Sequence, residues 1–395
     1  MKKVRIALVA PQPFVEARGT PMANLRTAQI LADAGYEVDV ITFPFGTHTY
    51  YPGIRVLRCS RVPFINSVRI GFSLGKVLTD ASLVLKVMYE ANRNRYDVIH
   101  GVEEGGLIGY VVSRLIGARL VFDMDSVMSQ EISYSKLGKI PGFPSLVRAT
   151  ERFLVHNADL IVTICDSMAD YVRSINAGKD VVVVPDIPLQ TKPGCANEEG
   201  VWSRISENPR RKLVVYTGSL AKYQGLNLLI SAMKRVVAVF PEALLVVVGG
   251  GDKEIEELST FAKHVGVMNN TLFLGTKPPD EIPRFLSAAN VLVSPRRYGI
   301  NTPAKLYTYM QSGTPIVATD IPAHRAVVDG DAAILVPASS DCIAEGIIRA
   351  LSDSATGARI AARARDIVSS ITPKLQAERL LDGYQRLTAK IIGRK

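Results

Sequence analysis

The residues best placed for chemistry lie in SPRRYGINTPAKLYTYMQSGTPIVAT, Ser294 to Thr319. Asn301-Thr302-Pro303 reads as a helix start, with Thr302 as N-cap and Pro303 at the first helical position. The opening turn of a helix favours carboxylates, because its unpaired amides carry partial positive charge. This turn holds Lys305 instead, and Arg296 and Arg297 stand just before it. Three cations and no acid at a helix N-terminus suit a bound anion such as a diphosphate. The competing reading is a solvated basic loop.

Two earlier loops have related character. In TGSLAKYQGLNLL, Gly218 and Ser219 permit close backbone approach, Gly225 opens a helix and Lys222 adds charge. That suits a phosphate, or equally a tight turn with a solvated lysine. In GGGDKEIEEL, Gly249 to Gly251 let a nucleoside lie against bare backbone, although the full GxGxxG dinucleotide pattern is absent. Acids gather in the first half of the chain. DVIHGVEEGG places His100, Glu103 and Glu104 at a strand end, and VFDMDSVMSQE does the same for Asp123, Asp125 and Glu131. Asp125 is the candidate catalytic acid, against the plainer role of a cap or surface charge. Gly19, Thr20 and Pro21, in PQPFVEARGTPMANL, mark another helix start. Cations at one set of loops and carboxylates at another fit group transfer from an activated donor.

Such loops need a scaffold of strands that end together. Short continuous apolar runs recur at Val4–Ala10, Val38–Phe43, Val98–His100, Leu120–Phe122, Leu160–Ile164 and Val181–Val184. A second series follows at Leu213–Tyr216, Leu244–Val248, Leu272–Leu274, Val291–Val293, Ile316–Ala318 and Ile334–Val336. Helical patterns separate them; that of Pro21–Ala34 ends at Gly35, as a C-terminal cap should. Unbroken apolar runs are the mark of strands buried on both faces of a parallel sheet. The expected fold class is therefore α/β, two doubly wound Rossmann-like domains facing a cleft. The first domain spans 1–190 and the second 210–372, joined by a Pro- and Gly-containing linker at 191–209 and followed by a helix within 373–395.

Composition narrows the partners. The 395 residues carry a net charge of +10, with 47% hydrophobic and 21% charged residues. That is ordinary globular composition, and the charge favours anionic partners. Cys59, Cys165, Cys195 and Cys342 lack metal or redox spacing and read as cytoplasmic thiols; the five histidines offer no zinc pair, so no metal is expected. The opening MKKVRIALVAPQPF imitates a signal peptide, but its short apolar part runs into a βαβ pattern, so it reads as a first strand. No apolar run is long enough to span a bilayer. Between Arg55 and Arg95 the only acids are Asp80 and Glu90, and apolar residues such as Phe64, Ile65, Ile70, Phe72, Leu74 and Val77 alternate with basic ones. This segment suits an anionic membrane surface, or a domain helix with a solvated basic face. No RNA- or DNA-binding pattern is present, and no nucleic-acid partner is expected.

Over nearly its whole length the chain resembles the retaining, GT-B-fold glycosyltransferases of family 4. The likeness rests on the first strand and its Gly-Thr loop, DVIHGVEEGG, ERFLVHNADLIVTICDSMADYV, VYTGSLAKYQGLNLLISA, LLVVVGGG and the opening segment, in that order. The resemblance implies a nucleoside-diphosphate sugar held mainly by the second domain, an acceptor held by the first, and a last helix returning to the first domain. It implies no cofactor and no obligatory metal. Gly218, Lys222, Gln224, Gly249, Gly250, Arg296, Asn301, Thr302, Lys305 and Thr308 would surround the donor, and Gly19, Thr20, His100 and Glu103 the acceptor, a lipid-linked or polysaccharide glycan. Retention is explained in the family by front-face attack, the leaving diphosphate helping to accept the acceptor's proton. Such an enzyme would be cytoplasmic, peripheral at the inner membrane face.

The chain departs from the family pattern at defined places. The two glutamates usual in this motif are Ile300 and Thr308 here. Ser219 and Gln224 stand where Arg and Lys are usual, with Lys222 two positions early, and Pro322 and Ala323 replace a glycine pair. Two alternatives follow: a non-catalytic sugar-nucleotide-binding relative, and a nucleotide-sugar epimerase on the same fold.

Overall fold

The computed structural model describes residues 3–14, 19–46, 51–65, 68, 74–133, 136–188 and 210–392. The expected linker at 191–209 lies outside them, as do Ile70 and Phe72 of the basic segment. The chain forms two compact units, Met1–Asp186 with Pro373–Lys395, and Ile187–Thr372.

The first unit is built on a seven-stranded sheet in the order β3-β2-β1-β4-β5-β6-β7. Its strands are β1 Arg5–Ala10, β2 Glu37–Thr42, β3 Ile54–Arg58, β4 Val98–Val102, β5 Arg119–Met124, β6 Leu160–Thr163 and β7 Val181–Val183. All neighbours pair in parallel. β1 shows why the apolar runs are unbroken. Ile6, Leu8 and Ala10 join the core on one face, while Ala7 and Val9 join the core on the other. Side chains alternate between faces along a strand, and here both faces are covered.

Helix α1, Gly19–Asp33, ends as its sequence requires. Gly35 takes φ +91 and the Tyr36 amide reaches back to the Leu31 carbonyl at 3.1 Å, closing a Schellman turn. Helices α2, Leu74–Arg93, and α3, Gly105–Ile116, cover the face that holds Ala7 and Val9. The other face receives the last helix, Pro373–Ile392, through Leu380, Tyr384 and Leu387.

One strand escaped the sequence reading. Ile54–Arg58 lies inside the segment read as basic and amphipathic, yet it pairs with β2 at the sheet edge. Its Ile54 and Val56 pack into one core and Leu57 into the other, while Arg55 donates to Asp39 Oδ1 at 2.9 Å. An edge strand has one covered flank, so charge is tolerated within it and the continuous apolar signature is lost.

The second unit repeats the plan with six parallel strands, ordered β10-β9-β8-β11-β12-β13. They are β8 Lys212–Thr217, β9 Ala243–Val248, β10 Thr271–Phe273, β11 Val291–Ser294, β12 Ile316–Thr319 and β13 Ile334–Val336. Strand order reverses between β8 and β11. Ligands of open α/β sheets bind at that reversal, beyond the carboxyl ends of the strands.

Candidate functional site

The loops that leave β8 and β11 meet at Lys305. Its ammonium donates to Gln224 Oε1 at 2.9 Å and sits 4.0 Å from the centre of the Tyr216 ring. Lys305 belongs to the helix Ala304–Ser312, Gln224 to the single turn Lys222–Gln224, and Tyr216 to β8. Burial, and then the nearby Arg296 charge, push the Lys305 pKa well below the ordinary lysine range. No carboxylate offsets that cation among the described residues. A partly buried ammonium held by an amide oxygen and an aromatic face is arranged to receive an anion.

Arg296 plays a different part. It is buried, and its guanidinium donates to the Tyr298 carbonyl at 2.9 Å, the Asn301 carbonyl at 3.0 Å and Asn301 Oδ1 at 2.6 Å. It lies 5.1 Å from the Tyr223 ring centre. These bonds shape the loop that presents Lys305. Gly299, at φ +128, is bound to this geometry, since a side chain there would meet the Arg296 guanidinium.

The helix start differs from the sequence reading by one residue. The cap position is Pro303 and the helix begins at Ala304. Thr302 does not cap it: its hydroxyl is buried with no hydrogen-bond partner. The rigid Arg296–Asn301 turn fixes the chain entering the helix, and Thr302 is held outside capping reach. Ile300 and Thr308, the two positions that lack the usual acids, are each partly buried on either side of this start.

The glycines mark close approaches. Gly249 has φ +125, and a methyl there would strike the Gly218 carbonyl; Gly250, at φ +83, faces the Leu220 side chain. Gly225, at φ +76, caps the helix Leu226–Val239 and abuts the Pro295 carbonyl. The three loops therefore lock together, two of the approaches being to backbone carbonyls. Lys222 is exposed at the edge of this arrangement.

His324, from the short helix Pro322–Arg325, braces the floor. Its Nδ1 lies 2.6 Å from the Thr319 carbonyl and its Nε2 lies 2.9 Å from Ser294 Oγ. A carbonyl only accepts, so Nδ1 carries the proton and Nε2 accepts from the serine hydroxyl. Burial pushes its pKa down to about 4, so the ring is neutral at physiological pH.

The equivalent end of the first unit is acidic. Asp123 accepts from His100 Nε2 at 2.9 Å, and His100 Nδ1 accepts from the Tyr384 hydroxyl at 2.7 Å. All three are buried. Glu103 takes φ +48, donates its amide to the Asp123 carbonyl at 2.9 Å and accepts from Ser126 Oγ at 3.3 Å. Its pKa is raised by burial and by Glu131, and that of Asp125 by burial and by Asp123 and Glu103. Asp186 is pushed up to about 6 by burial, against the opposing charge of Arg26. A raised pKa favours the protonated carboxyl, and only that form donates a hydrogen bond. Gly19 and Thr20 begin α1, and Thr20 is partly buried.

Family descriptions match both halves. The Glycosyl transferase 4-like domain covers residues 18–186, and Glycosyl transferases group 1 covers residues 202–367. The chain belongs to the family-4 glycosyltransferases of GT-B fold. It is a glycosyltransferase of the hexosyl-transferring class. The 2-deoxystreptamine N-acetyl-D-glucosaminyltransferase of Streptomyces fradiae is 27% identical, covering 97% of this chain and 94% of its own. The phosphatidyl-myo-inositol mannosyltransferase of Mycolicibacterium smegmatis is 25% identical, covering 98% and 94%. Among solved structures, sucrose-phosphate synthase from Thermosynechococcus elongatus superposes with a TM-score of 0.82 at 20% identity, covering 98% of this chain and all of that one. The Anabaena protein HepE in complex with UDP and glucose gives 0.73 at 18% identity, covering 99% and 100%.

In this glycosyltransferase the sequence reading missed Tyr216, Tyr223, Asp186 and Tyr384. Tyr216 sits in an apolar run where an aromatic reads as core. Tyr384 meets His100 across 284 positions of chain, which no local pattern reveals.

Proposed function

We propose that this glycosyltransferase takes its sugar from a uridine-diphosphate donor and transfers it, with retention, to a lipid-linked glycan acceptor. The observation that carries the donor half is the Lys305 ammonium, partly buried at the strand-order reversal with no acid to neutralise it among the described residues. We assign the diphosphate to Lys305 and the Ala304–Ser312 helix start, the nucleoside to the bare backbone of Gly218, Gly249 and Gly250, and Gln224 to orienting Lys305. Uridine is favoured by two solved neighbours of the same fold, one in complex with UDP and glucose and one bound with UDP-2-fluoro glucose. We assign Thr308, at the place of the family's second glutamate, to the ribose side of the donor, and Asn301 to the donor loop beside it.

The acceptor half rests on the first unit. Asp125 and Glu103, both with raised pKa, would hold acceptor hydroxyls, with Asp123 fixed by His100 and Tyr384. The acceptor oxygen bonds to the anomeric carbon as the bond to the diphosphate breaks, and a diphosphate oxygen takes the hydroxyl proton. Positioning and charge stabilisation carry such a step, so the acids absent at Ile300 and Thr308 need not be nucleophiles. The lipid-linked class is favoured by the phosphatidyl-inositol-modifying relative and by the apolar surface described below.

The test is release of UDP from UDP-sugars with and without a membrane lipid fraction, followed by NMR of the product's anomeric configuration. Lipid-dependent release and a retained anomer are expected. Binding without release would favour the non-catalytic reading. A changed sugar without acceptor would favour epimerisation.

A further inference from the structure

Helices α2 and α3 bury one face each in the same core layer, through Leu83 and Val87 of α2 and Val112 of α3. The outer face of such helices is normally polar. In α2 it is apolar. The exposed positions are Val77, Leu78, Ala81, Leu85, Met88 and Tyr89, with Asn92 and Arg93 only at the end. Polar groups are drawn inward instead: Thr79 and Glu90 are buried, and Lys86 donates to Glu90 at 2.7 Å. α3 repeats the inversion. Its exposed positions are Leu107, Val111, Leu115 and Ile116, with Arg114 the one polar residue among them. Leu85 is 70% exposed and Leu115 67%. The two helices pack against each other, so the stripes lie side by side, and clustered exposed apolar residues mark an interaction site.

Charge selects the partner. The acids of these helices and of the turn before α3 are tied up: Asp80 lies 3.6 Å from Lys76, Glu104 pairs with Lys76, and Glu90 is buried. The exposed charges are Arg93 and Arg114, and each guanidinium lies 5.3 Å from a ring centre, over Tyr89 and Tyr110. Tyr110 also meets Phe153 edge-to-face at 4.7 Å, and Phe153's helix adds exposed Arg148 and Arg152. A second copy of this face would bring arginine against arginine. A membrane with anionic headgroups would meet both features, taking the leucines at the acyl boundary and the arginines at phosphate.

We propose that the outer face of α2 and α3 seats this enzyme on an anionic bilayer. The proposal deepens the lipid-linked acceptor reading and gives it a physical site. The basic segment read from sequence supplies half of that site, and α3 supplies the rest.

The test is co-flotation of the full chain, without donor or acceptor, with vesicles of phosphatidylcholine alone or mixed equally with phosphatidylglycerol. Binding to the mixed vesicles is expected, and salt should weaken it. The pair Leu85→Gln with Leu115→Gln should lower partitioning about tenfold. Arg93→Gln with Arg114→Gln should lower it several-fold on the anionic vesicles alone. Val239→Gln, at an exposed apolar site of the other unit, should change nothing. No flotation of the wild type, or equal flotation of the leucine pair, overturns the proposal. So does a concentration-dependent dimer that the leucine pair dissociates, since the face would then join two copies. UDP binding is measured separately, so failure here is distinguishable from failure of the transfer reading.

Discussion

The two units share a strand order and differ in the charge they place beyond it. In the second unit, the β8 and β11 loops surround Lys305, whose charge no carboxylate offsets among the described residues. In the first, the β4, β5 and β7 ends carry Glu103, Asp125 and Asp186, all with raised pKa. One scaffold thus presents an ammonium with no carboxylate beside it among the described residues, and the other presents a cluster of carboxyls that burial makes harder to ionise. The fold does not dictate the chemistry; the loops do.

If that division of labour holds, substitutions in the two units should separate binding from turnover. The largest effect expected is for Asp125→Ala, since Asp125→Asn would keep a neutral hydrogen-bond donor. Turnover should fall by about 100-fold, within the range for loss of a positioned hydrogen-bond donor, while UDP affinity measured by calorimetry stays unchanged. A parallel loss of UDP affinity would break the comparison.

Next is Gly249→Ala. The residue combines φ +125 with contact against the Gly218 carbonyl, so any side chain is strained and forces two loops apart. A cost of about 1–3 kcal/mol is expected, read from urea unfolding of the second unit. Gly251→Ala, with open space around it, is the control.

The smallest effects should be those of pH, and they should have opposite sign in the two units. Asp186, raised to about 6, contributes stability that is complete below the ordinary aspartate pKa and is lost as pH rises through about 6. His324, lowered to about 4, contributes stability that is complete above the ordinary histidine pKa and is lost as pH falls through about 4. Hydrogen exchange should therefore show β7 loosening as pH rises from 3.8 to about 6, and β11–β12 loosening as pH falls from 6.5 to about 4. Asp186→Asn and His324→Gln should each flatten one trend, by about 1–2 kcal/mol after allowance for solvent screening.

The parallel sheets were legible because their strands are buried on both faces and read as unbroken apolar runs. β3 was not, since an edge strand tolerates Arg55 and Arg58 among its apolar residues. The cationic loop was legible because Lys305 interrupts the usual acid preference of a helix start. Its inner structure was not. Arg296 binds its own loop rather than standing open, and Thr302 sits outside the cap, because one turn of backbone geometry decides both. The inverted faces of α2 and α3 were hidden for another reason. Sequence periodicity reports an apolar stripe but not which way it points.

Lys305 is the group assigned to hold the donor's diphosphate. Titration of UDP into the wild type and Lys305→Ala by calorimetry tests it most directly. Saturable binding is expected, at least tenfold weaker in the variant, with Lys305→Arg falling between the two. Equal UDP affinity in wild type and Lys305→Ala would contradict it.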